Sequence, residues 1–114
     1  MTFDDLRTYC LSLPGATEEI QWGHDLLFKV GGKTFVFTGF EDPWPLSIKV
    51  SDEEFAVLIE REGIRPAPYL AQHKWVLVER LNAMPAKELK QRVNASYNTV
   101  VAKLPKKVQN SLKD

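Results

Sequence analysis

The sequence contains one cysteine, two histidines and no long apolar segment, and each of these shortages excludes a class of protein. Because Cys10 is alone, the chain cannot form an internal disulfide. No stretch approaches the roughly 18 consecutive apolar residues that a membrane-spanning helix requires. The first ten residues hold two aspartates and no apolar run, so they are unlike a signal peptide. We therefore expect a soluble cytoplasmic protein without a membrane partner.

Sequence patterns of known catalytic and cofactor-binding sites are also missing. The chain has no G-x-x-x-x-G-K-[S/T] or G-x-G-x-x-G loop and no G-x-S-x-G turn. Cys10 lies on the apolar stripe of a predicted helix, where it behaves as a small hydrophobe. His24-Asp25 is predicted to play a structural loop role, and Glu18-Glu19 is predicted to start a helix or lie in a solvated loop. We expect no enzyme activity, no metal site and no cofactor.

Length and charge describe an ordinary small domain with an uneven charge distribution. The 114 residues fit one domain spanning 1–114, and 15 basic residues balance 15 acidic ones. Residues 1–73 have a net charge of −6, whereas residues 74–114 have a net charge of +6. The fold either collects the positive charge on one surface or mixes the two halves.

Three helices are predicted from their caps and from apolar residues at helical spacing. Thr2 with Asp5 and Ser51 with Glu54 have the spacing of capping boxes. Pro85 suits the first turn of the third helix. The predicted helices run from Thr2 to Leu13, from Ser51 to a stop at Gly63, and from Pro85 to a stop at Pro105.

Five strands are predicted between and after the first two helices. Residues 26–38 form a hairpin around Gly31-Gly32, and residues 46–50 alternate apolar with polar side chains. Two prolines limit the segment after Gly63 to a short edge strand near Tyr69, and residues 74–79 form the last strand. The order α-β-β-β-α-β-β-α predicts an α+β fold, a two-layer sandwich with an antiparallel sheet.

Four segments resemble the MmcQ/YjbR family of small bacterial proteins. The most specific part of the resemblance is a histidine-lysine-tryptophan motif after a tyrosine-containing loop. A helix with a serine-tyrosine pair follows it and ends in Leu-Pro-Lys-Lys. The segments span nearly the whole chain in order, and they are KVGGKTFVF (29–37), PLSIKVSDEEFAVL (45–58), RPAPYLAQHKWVLV (65–78) and SYNTVVAKLPKK (96–107).

The resemblance implies a fold similar to secretion chaperones and frataxin-like sandwiches, in agreement with the order above. Members of the family are commonly labelled DNA-binding because the fold looks like a double-wing arrangement. The family has no agreed catalytic residues to transfer to this sequence. Since fold alone does not determine function, the resemblance leaves the ligand open.

The candidate nucleic-acid contacts are basic side chains, because phosphate binding requires clustered lysine and arginine. All but one of them belong to residues 74–114, and the exception is Arg65. Against this interpretation, the sequence pI is about 6.7, and lysines on an exposed helix face commonly serve solubility alone. The candidates are Arg65, Lys74, Lys87, Lys90, Lys103, Lys106 and Lys107, with Arg92 as a further helix residue.

Four ring-bearing side chains are candidates for a small-molecule cleft. Trp44 lies in a loop between two prolines, while Tyr69, His73 and Trp75 follow the proline-rich segment. If both groups meet at one end of the sheet, they line an aromatic cleft. The alternatives are that Trp44 caps the core and that Trp75 is a core or sheet-face residue.

The sequence therefore predicts a non-enzymatic, monomeric binding module, with DNA as the partner that the family resemblance suggests. The alternative is a protein- or peptide-binding adaptor with a chaperone-like fold. A small-molecule pocket is a third hypothesis. Salt dependence separates the first two, because phosphate contacts release counterions and an apolar groove does not.

Overall fold

Helices and strands occupy most of the chain in the computed structural model, which describes residues 1–68 and 70–112. The helices are α1 (Phe3–Ser12), α2 (Asp52–Leu58), α3 (Ala86–Val101) and α4 (Lys106–Ser111), with a 3₁₀ turn at Ala71–His73. The strands are β1 (Thr17–Gln21), β2 (Asp25–Val30), β3 (Lys33–Gly39), β4 (Leu46–Lys49), β5 (Ile64–Pro66) and β6 (Trp75–Val78).

The strands of the described residues form one antiparallel sheet with the order β1-β2-β3-β4-β6-β5. Helix α3 packs against β2, β3 and β4, α2 packs against β5 and β6, and α1 lies against α3. One hydrophobic cluster joins the helices to the covered sheet face, with Leu6, Phe28, Ile48, Leu58 and Val93 among its members. The predicted α+β sandwich is confirmed.

Both predicted capping boxes form. The Thr2 hydroxyl accepts a 3.1 Å hydrogen bond from the Asp5 backbone nitrogen, and the Asp5 carboxylate accepts a 3.0 Å bond from the Thr2 nitrogen. Ser51 and Glu54 repeat the arrangement at 3.1 and 3.2 Å. These local bonds satisfy helix-start donors that would otherwise be unpaired, so α1 and α2 begin where the sequence predicts.

The turn between β2 and β3 requires glycine for two different reasons. Gly31 and Gly32 have φ angles of 58° and 79°, the left-handed region that a tight two-residue hairpin turn uses. A Cβ atom on Gly31 would also lie 2.6 Å from a methyl carbon of Leu104, whereas a Cβ atom on Gly32 would meet nothing within 4 Å. The turn is therefore fixed against Leu104, three residues beyond the end of α3.

The sheet opens between the end of β4 and the start of β3. These strands pair only at Val36 with Ile48 and at Phe37 with Ser47, and a register shift in β2–β3 leaves Phe35 as an extra residue. Such a bulge bends its strand away from the neighbouring strand. The end of β4 thus separates from β3 and leaves a gap, and α3 packs against both strands on one face of the sheet.

Strand β1 and helix α4 were not predicted. Strand β1 contains Glu18 and Glu19, for which the sequence predicted a helix start or a solvated loop. Except for Ile20 its residues are polar, and most of them are exposed because β1 is an edge strand. The strand is held by its ladder to β2 and by ion pairs of Glu18 with Arg7 and Glu19 with Lys29. Helix α3 ends at Val101, earlier than the predicted stop at Pro105, and Pro105 is instead the N-cap of α4.

The short edge strand exists, but at Ile64–Pro66, which is earlier in the sequence than the prediction near Tyr69. Tyr69 itself lies outside the described residues. Strand β5 ends at Pro66, and the next residue, Ala67, still donates a 3.0 Å backbone hydrogen bond to the Trp75 carbonyl of β6. The chain then passes through the 3₁₀ turn and enters β6 at the end of the sheet where β4 terminates.

Candidate functional site

The two kinds of basic residue behave differently in the fold. All five arginines form ion pairs with carboxylates: Arg7–Glu18, Arg61–Glu88, Arg65–Glu79, Arg80–Glu62 and Arg92–Glu54. Among the nine lysines that the structure describes, only Lys29 forms one. Positive charge that is still available for a partner is therefore carried by lysines.

Three of these lysines surround one cavity, here called the lysine cleft. Its volume is about 240 Å³, and it is lined by Lys33, Thr34, Lys49, Val100 and Lys103. Lys33 and Thr34 begin β3, Lys49 ends β4, and Val100 and Lys103 belong to the last turn of α3 and the residues just after it. The lysine cleft is thus the gap between the two separating strands, with α3 beneath it.

Ser96 on α3 holds the gap in its shape. Its hydroxyl donates a 2.7 Å hydrogen bond to the Phe35 carbonyl and accepts a 3.0 Å bond from the Lys49 backbone nitrogen. Ser96 is completely buried. Because strand neighbours would normally satisfy these two backbone groups, the serine replaces the missing part of the β3–β4 ladder.

Charge repulsion and burial act together on Lys49. Its ammonium nitrogen donates a 2.6 Å hydrogen bond to the His73 carbonyl. Burial, followed by the positive charge of Lys103, lowers the pKa of Lys49, and the carboxylate of Asp52 opposes this shift. The site therefore holds a partly desolvated ammonium group beside a like charge, an arrangement that a bound anion relieves.

Two more lysines extend the basic surface beyond the lysine cleft. Lys106 and Lys107 are exposed in the first turn of α4, which starts directly after Pro105. The Gln109 side chain donates a 2.7 Å hydrogen bond to the Leu104 carbonyl, so α4 is tied to the end of α3. These lysines follow Lys103 by three and four residues, and the end of the sheet where β3 begins and β4 ends is here called the lysine end.

The other predicted basic residues lie elsewhere or are engaged. Arg65 pairs with Glu79, and Lys74 lies over the Phe55 ring, 5.0 Å from its centroid. Lys90 lies 5.7 Å from the centroid of the Tyr9 ring. Lys87 lies in the first turn of α3, and roughly 21 Å of helix separates it from Val101, two residues before Lys103. The predicted set is therefore not one surface. Lys103, Lys106 and Lys107 lie at the lysine end, as does Lys74, whose carbonyl accepts a 2.9 Å hydrogen bond from the nitrogen of Val50, the residue after β4.

Sequence reasoning missed Lys33 and Lys49. The only local signal was that Lys33 follows the Gly31-Gly32 turn and that Lys49 occupies the last position of a strand, so both lie at one end of the sheet. Their proximity to Lys103 depends on how α3 crosses the sheet, and a local sequence pattern does not predict that crossing.

The structure does not bring the four predicted cleft residues together. Trp44 precedes β4 and stacks on Phe3 with ring centroids 5.9 Å apart, whereas Trp75 pairs with Lys49 at the other end of β4 and contacts Phe37 edge-on at 5.3 Å. His73 contributes its carbonyl to the Lys49 bond. Tyr69 lies outside the described residues.

Trp22, Phe40 and Trp44 lie at the opposite end of the sheet from the lysine cleft, here called the aromatic end. Trp22 occupies the β1–β2 turn and is 78% exposed, and Phe40 follows β3 and is 43% exposed. The indole N–H of Trp44 is buried without a hydrogen-bond acceptor in the described residues. The length of β2 separates this end from the lysine cleft by roughly 20 Å.

Cys10 is fully buried among core residues, as its place on the helical stripe predicted. Burial raises the pKa of its thiol to about 12. The thiolate needed for nucleophilic attack is therefore scarce at neutral pH.

Within residues 1–68 and 70–112, no three histidine, cysteine or carboxylate side chains come close enough to hold a metal ion. No helix of these residues combines the length and the apolar character of a membrane span.

Fold and cleft together define a small α+β domain with three lysines around a cavity at one end of an antiparallel sheet. A family model described as YjbR matches residues 11–99. The chain belongs to the YjbR family, which confirms the resemblance found in the sequence.

Relatives in this family match over almost the full chain. The uncharacterized protein YjbR of Escherichia coli strain K12 is 28% identical over 116 residues, covering 98% of both chains, and the protein of the same name in Escherichia coli O157:H7 gives the same values. The names of these relatives assign no activity.

Two solved structures share the fold. The crystal structure of Deinococcus radiodurans protein DR2400, of the family-model domain DUF419, has a TM-score of 0.88 at 31% identity and covers 98% of this chain and 88% of that chain. The crystal structure of a protein from Pseudomonas syringae has a TM-score of 0.73 at 19% identity, covering 87% of this chain and 98% of that chain. This second likeness shows the fold alone.

Proposed function

We propose that this domain is a non-enzymatic module that binds nucleic acid through its phosphate backbone at the lysine end. The observation that carries the proposal is the lysine cleft, where Lys33, Lys49 and Lys103 converge on one cavity without a lining carboxylate among the described residues. Lys106 and Lys107 extend the contact along α4.

Lysine chemistry supports phosphate as the ligand. Each ammonium group is a compact point charge with three donors, suited to phosphate oxygens in many orientations. Because the whole chain has a net charge of zero, the attraction comes from this one surface and not from the overall charge. We expect a moderate affinity that depends on local contacts.

The composition of the lysine cleft supports binding without catalysis. Its described lining consists of three lysines, a threonine and a valine, and includes no carboxylate or imidazole ring to accept a proton. The buried thiol of Cys10 lies in the core cluster. Histidine and carboxylate groups are the usual general acids and bases, and a lysine takes this role when its pKa lies near neutrality.

A salt series tests the proposal. Fluorescence anisotropy of a labelled single-stranded DNA, a duplex DNA and an RNA is measured at rising salt concentrations. With about three to five phosphate contacts, the logarithm of the binding constant for a single strand should fall with the logarithm of salt with a slope of roughly −2 to −4. No binding of any of the three polymers at low salt contradicts the proposal.

Two charge-matched double variants locate the site. Replacing Lys49 and Lys103 with glutamine removes two positive charges from the lysine cleft, whereas Lys87→Gln with Lys90→Gln removes two from the start of α3. The first variant should flatten the single-strand slope by about 1.4, and the second should leave it unchanged. Equal effects of the two variants would place the contact elsewhere.

A protein- or peptide-binding role is the second candidate, and the exposed edge of β1 favours it. Ile20 and Trp22 are 59% and 78% exposed at this edge, and an unpaired strand edge can add a strand from a partner. Binding there should change little with salt. Trp22→Ala should weaken it without changing nucleic-acid affinity, whereas Lys49→Gln should have no effect on it.

A further inference from the structure

We propose that the lysine cleft receives a terminal phosphomonoester, such as the 5′-phosphate end of a nucleic-acid strand, in preference to an internal phosphodiester. Binding of a nucleic-acid end rests on the proposed nucleic-acid binding. Binding of a phosphomonoester as such does not rest on it, because a free nucleotide carries the same group.

The shape of the lysine cleft favours a chain end. Three elements surround it, with Lys33 on β3, Lys49 on β4 and Lys103 after α3, and Val100 of α3 contributes to its lining. The bonds of Ser96 to Phe35 and Lys49 close the gap between the strands on the α3 side. An internal phosphodiester continues in both directions and needs an open groove, whereas a terminal phosphate needs one entrance.

The charge of the lysine cleft favours the same group. The side chains of Lys33, Lys49 and Lys103 line a cavity of about 240 Å³, so their three ammonium groups lie within reach of an anion bound at its mouth. A phosphomonoester carries a charge of about −1.5 to −2 at pH 7 and presents three acceptor oxygens, while a diester carries one charge. Asp52 acts on Lys49 but does not line the cavity, so it leaves room for the anion. The Thr34 hydroxyl in the wall adds a neutral donor.

Lys106 and Lys107 complete the arrangement for a polymer end. They are exposed on α4 and line no described part of the cavity. A strand whose terminal phosphate occupies the cavity would leave it at this end of the molecule. Its next phosphodiesters would then meet exposed lysines that supply charge without selecting a chain end.

The experiment compares two single-stranded oligonucleotides of one sequence that differ only in a 5′-phosphate or a 5′-hydroxyl, both labelled at the 3′ end. Anisotropy gives their affinities for the wild type, for Lys49→Gln, for Lys103→Gln and for the control Lys90→Gln. The 5′-phosphate should raise the affinity of the wild type about tenfold, the effect of one well-formed charged contact. Both cleft variants should lose this preference, and the control should keep it.

Each outcome separates the two proposals. Equal wild-type affinities for the two oligonucleotides overturn the phosphomonoester inference and leave nucleic-acid binding intact. If no oligonucleotide binds but a nucleoside 5′-monophosphate and inorganic phosphate shift the amide resonances of Lys33 and Lys49, the inference stands and nucleic-acid binding fails. Absence of all binding overturns both. Because two cleft variants are used and their folding is checked by thermal unfolding, misfolding of one does not remove the test.

Discussion

The Ser96 hydroxyl accepts a hydrogen bond of 3.0 Å from the backbone nitrogen of Lys49, a residue 47 positions earlier in the chain. The same oxygen donates to the Phe35 carbonyl at 2.7 Å. One buried side chain on α3 thus satisfies backbone groups on both sides of the opening in the sheet. The lysine cleft depends on this contact, because it keeps the end of β4 apart from β3 at a fixed distance.

Replacing Ser96 with alanine should destabilise the protein by about 1–3 kcal/mol, since it leaves two buried backbone groups without their partner. Thr99→Ala is the control, because its hydroxyl bonds only to the Ala95 carbonyl within the same helix. That change should stay within about 0.5 kcal/mol of the wild type. Chemical denaturation measures both free energies of unfolding. Equal values for the two variants would contradict the bridging role of Ser96.

Substitutions in the β2–β3 turn test how the turn packs on Leu104. Gly31→Ala and Gly32→Ala both place a side chain at positive φ, which costs about 1–2 kcal/mol. Only the first also forces a Cβ atom to 2.6 Å from Leu104. Gly31→Ala should therefore be the more destabilising of the two by about 1–3 kcal/mol. The reverse order in thermal or chemical unfolding would show that the turn does not contact Leu104.

Stability at alkaline pH should report the burial of Cys10. Its pKa is about 12 in the folded protein against a usual value of 9.0. Between these values the unfolded chain releases the thiol proton while the folded chain keeps it, so the stability contributed by this group is complete below pH 9 and declines above it. At pH 10 the loss from this group is about 1.4 kcal/mol.

Denaturation of the wild type and of Cys10→Ala at pH 8 and pH 10 isolates that contribution. The variant should be less stable at both values because it leaves a cavity, but it should lose less stability between them. A thiol reagent should modify the wild type only as it unfolds. Rapid modification of the native protein would show that the thiol is accessible.

The elements that the sequence predicted are those determined by local chemistry. The Thr2 and Ser51 caps and the Gly31-Gly32 turn each satisfy their requirements within a few residues. Strand β1 was not predicted because the residues of an edge strand need not be apolar. It is stabilised instead by backbone pairing with β2. Helix α4 was not predicted because a proline after an apolar helical pattern indicates a helix end, although a proline also begins helices.

The candidate site was predictable only in part, for a related reason. Lys103, Lys106 and Lys107 were chosen from the basic second half of the chain, and they lie together at the lysine end. Lys33 and Lys49 come from the acidic half and join them only because the sheet opens beside Phe35. Residues distant in sequence meet there through packing of α3, so composition by halves could not identify them.

The most direct test of the central claim is to map which end of the sheet touches nucleic acid. Unlabelled single-stranded DNA is titrated into ¹⁵N-labelled protein at low salt, and amide chemical shifts are followed residue by residue. The largest changes should fall on Lys33, Lys49 and Lys103, with no change at Trp22 or Phe40 on the aromatic end. Changes concentrated at the aromatic end, or the absence of any change, would contradict binding at the lysine cleft.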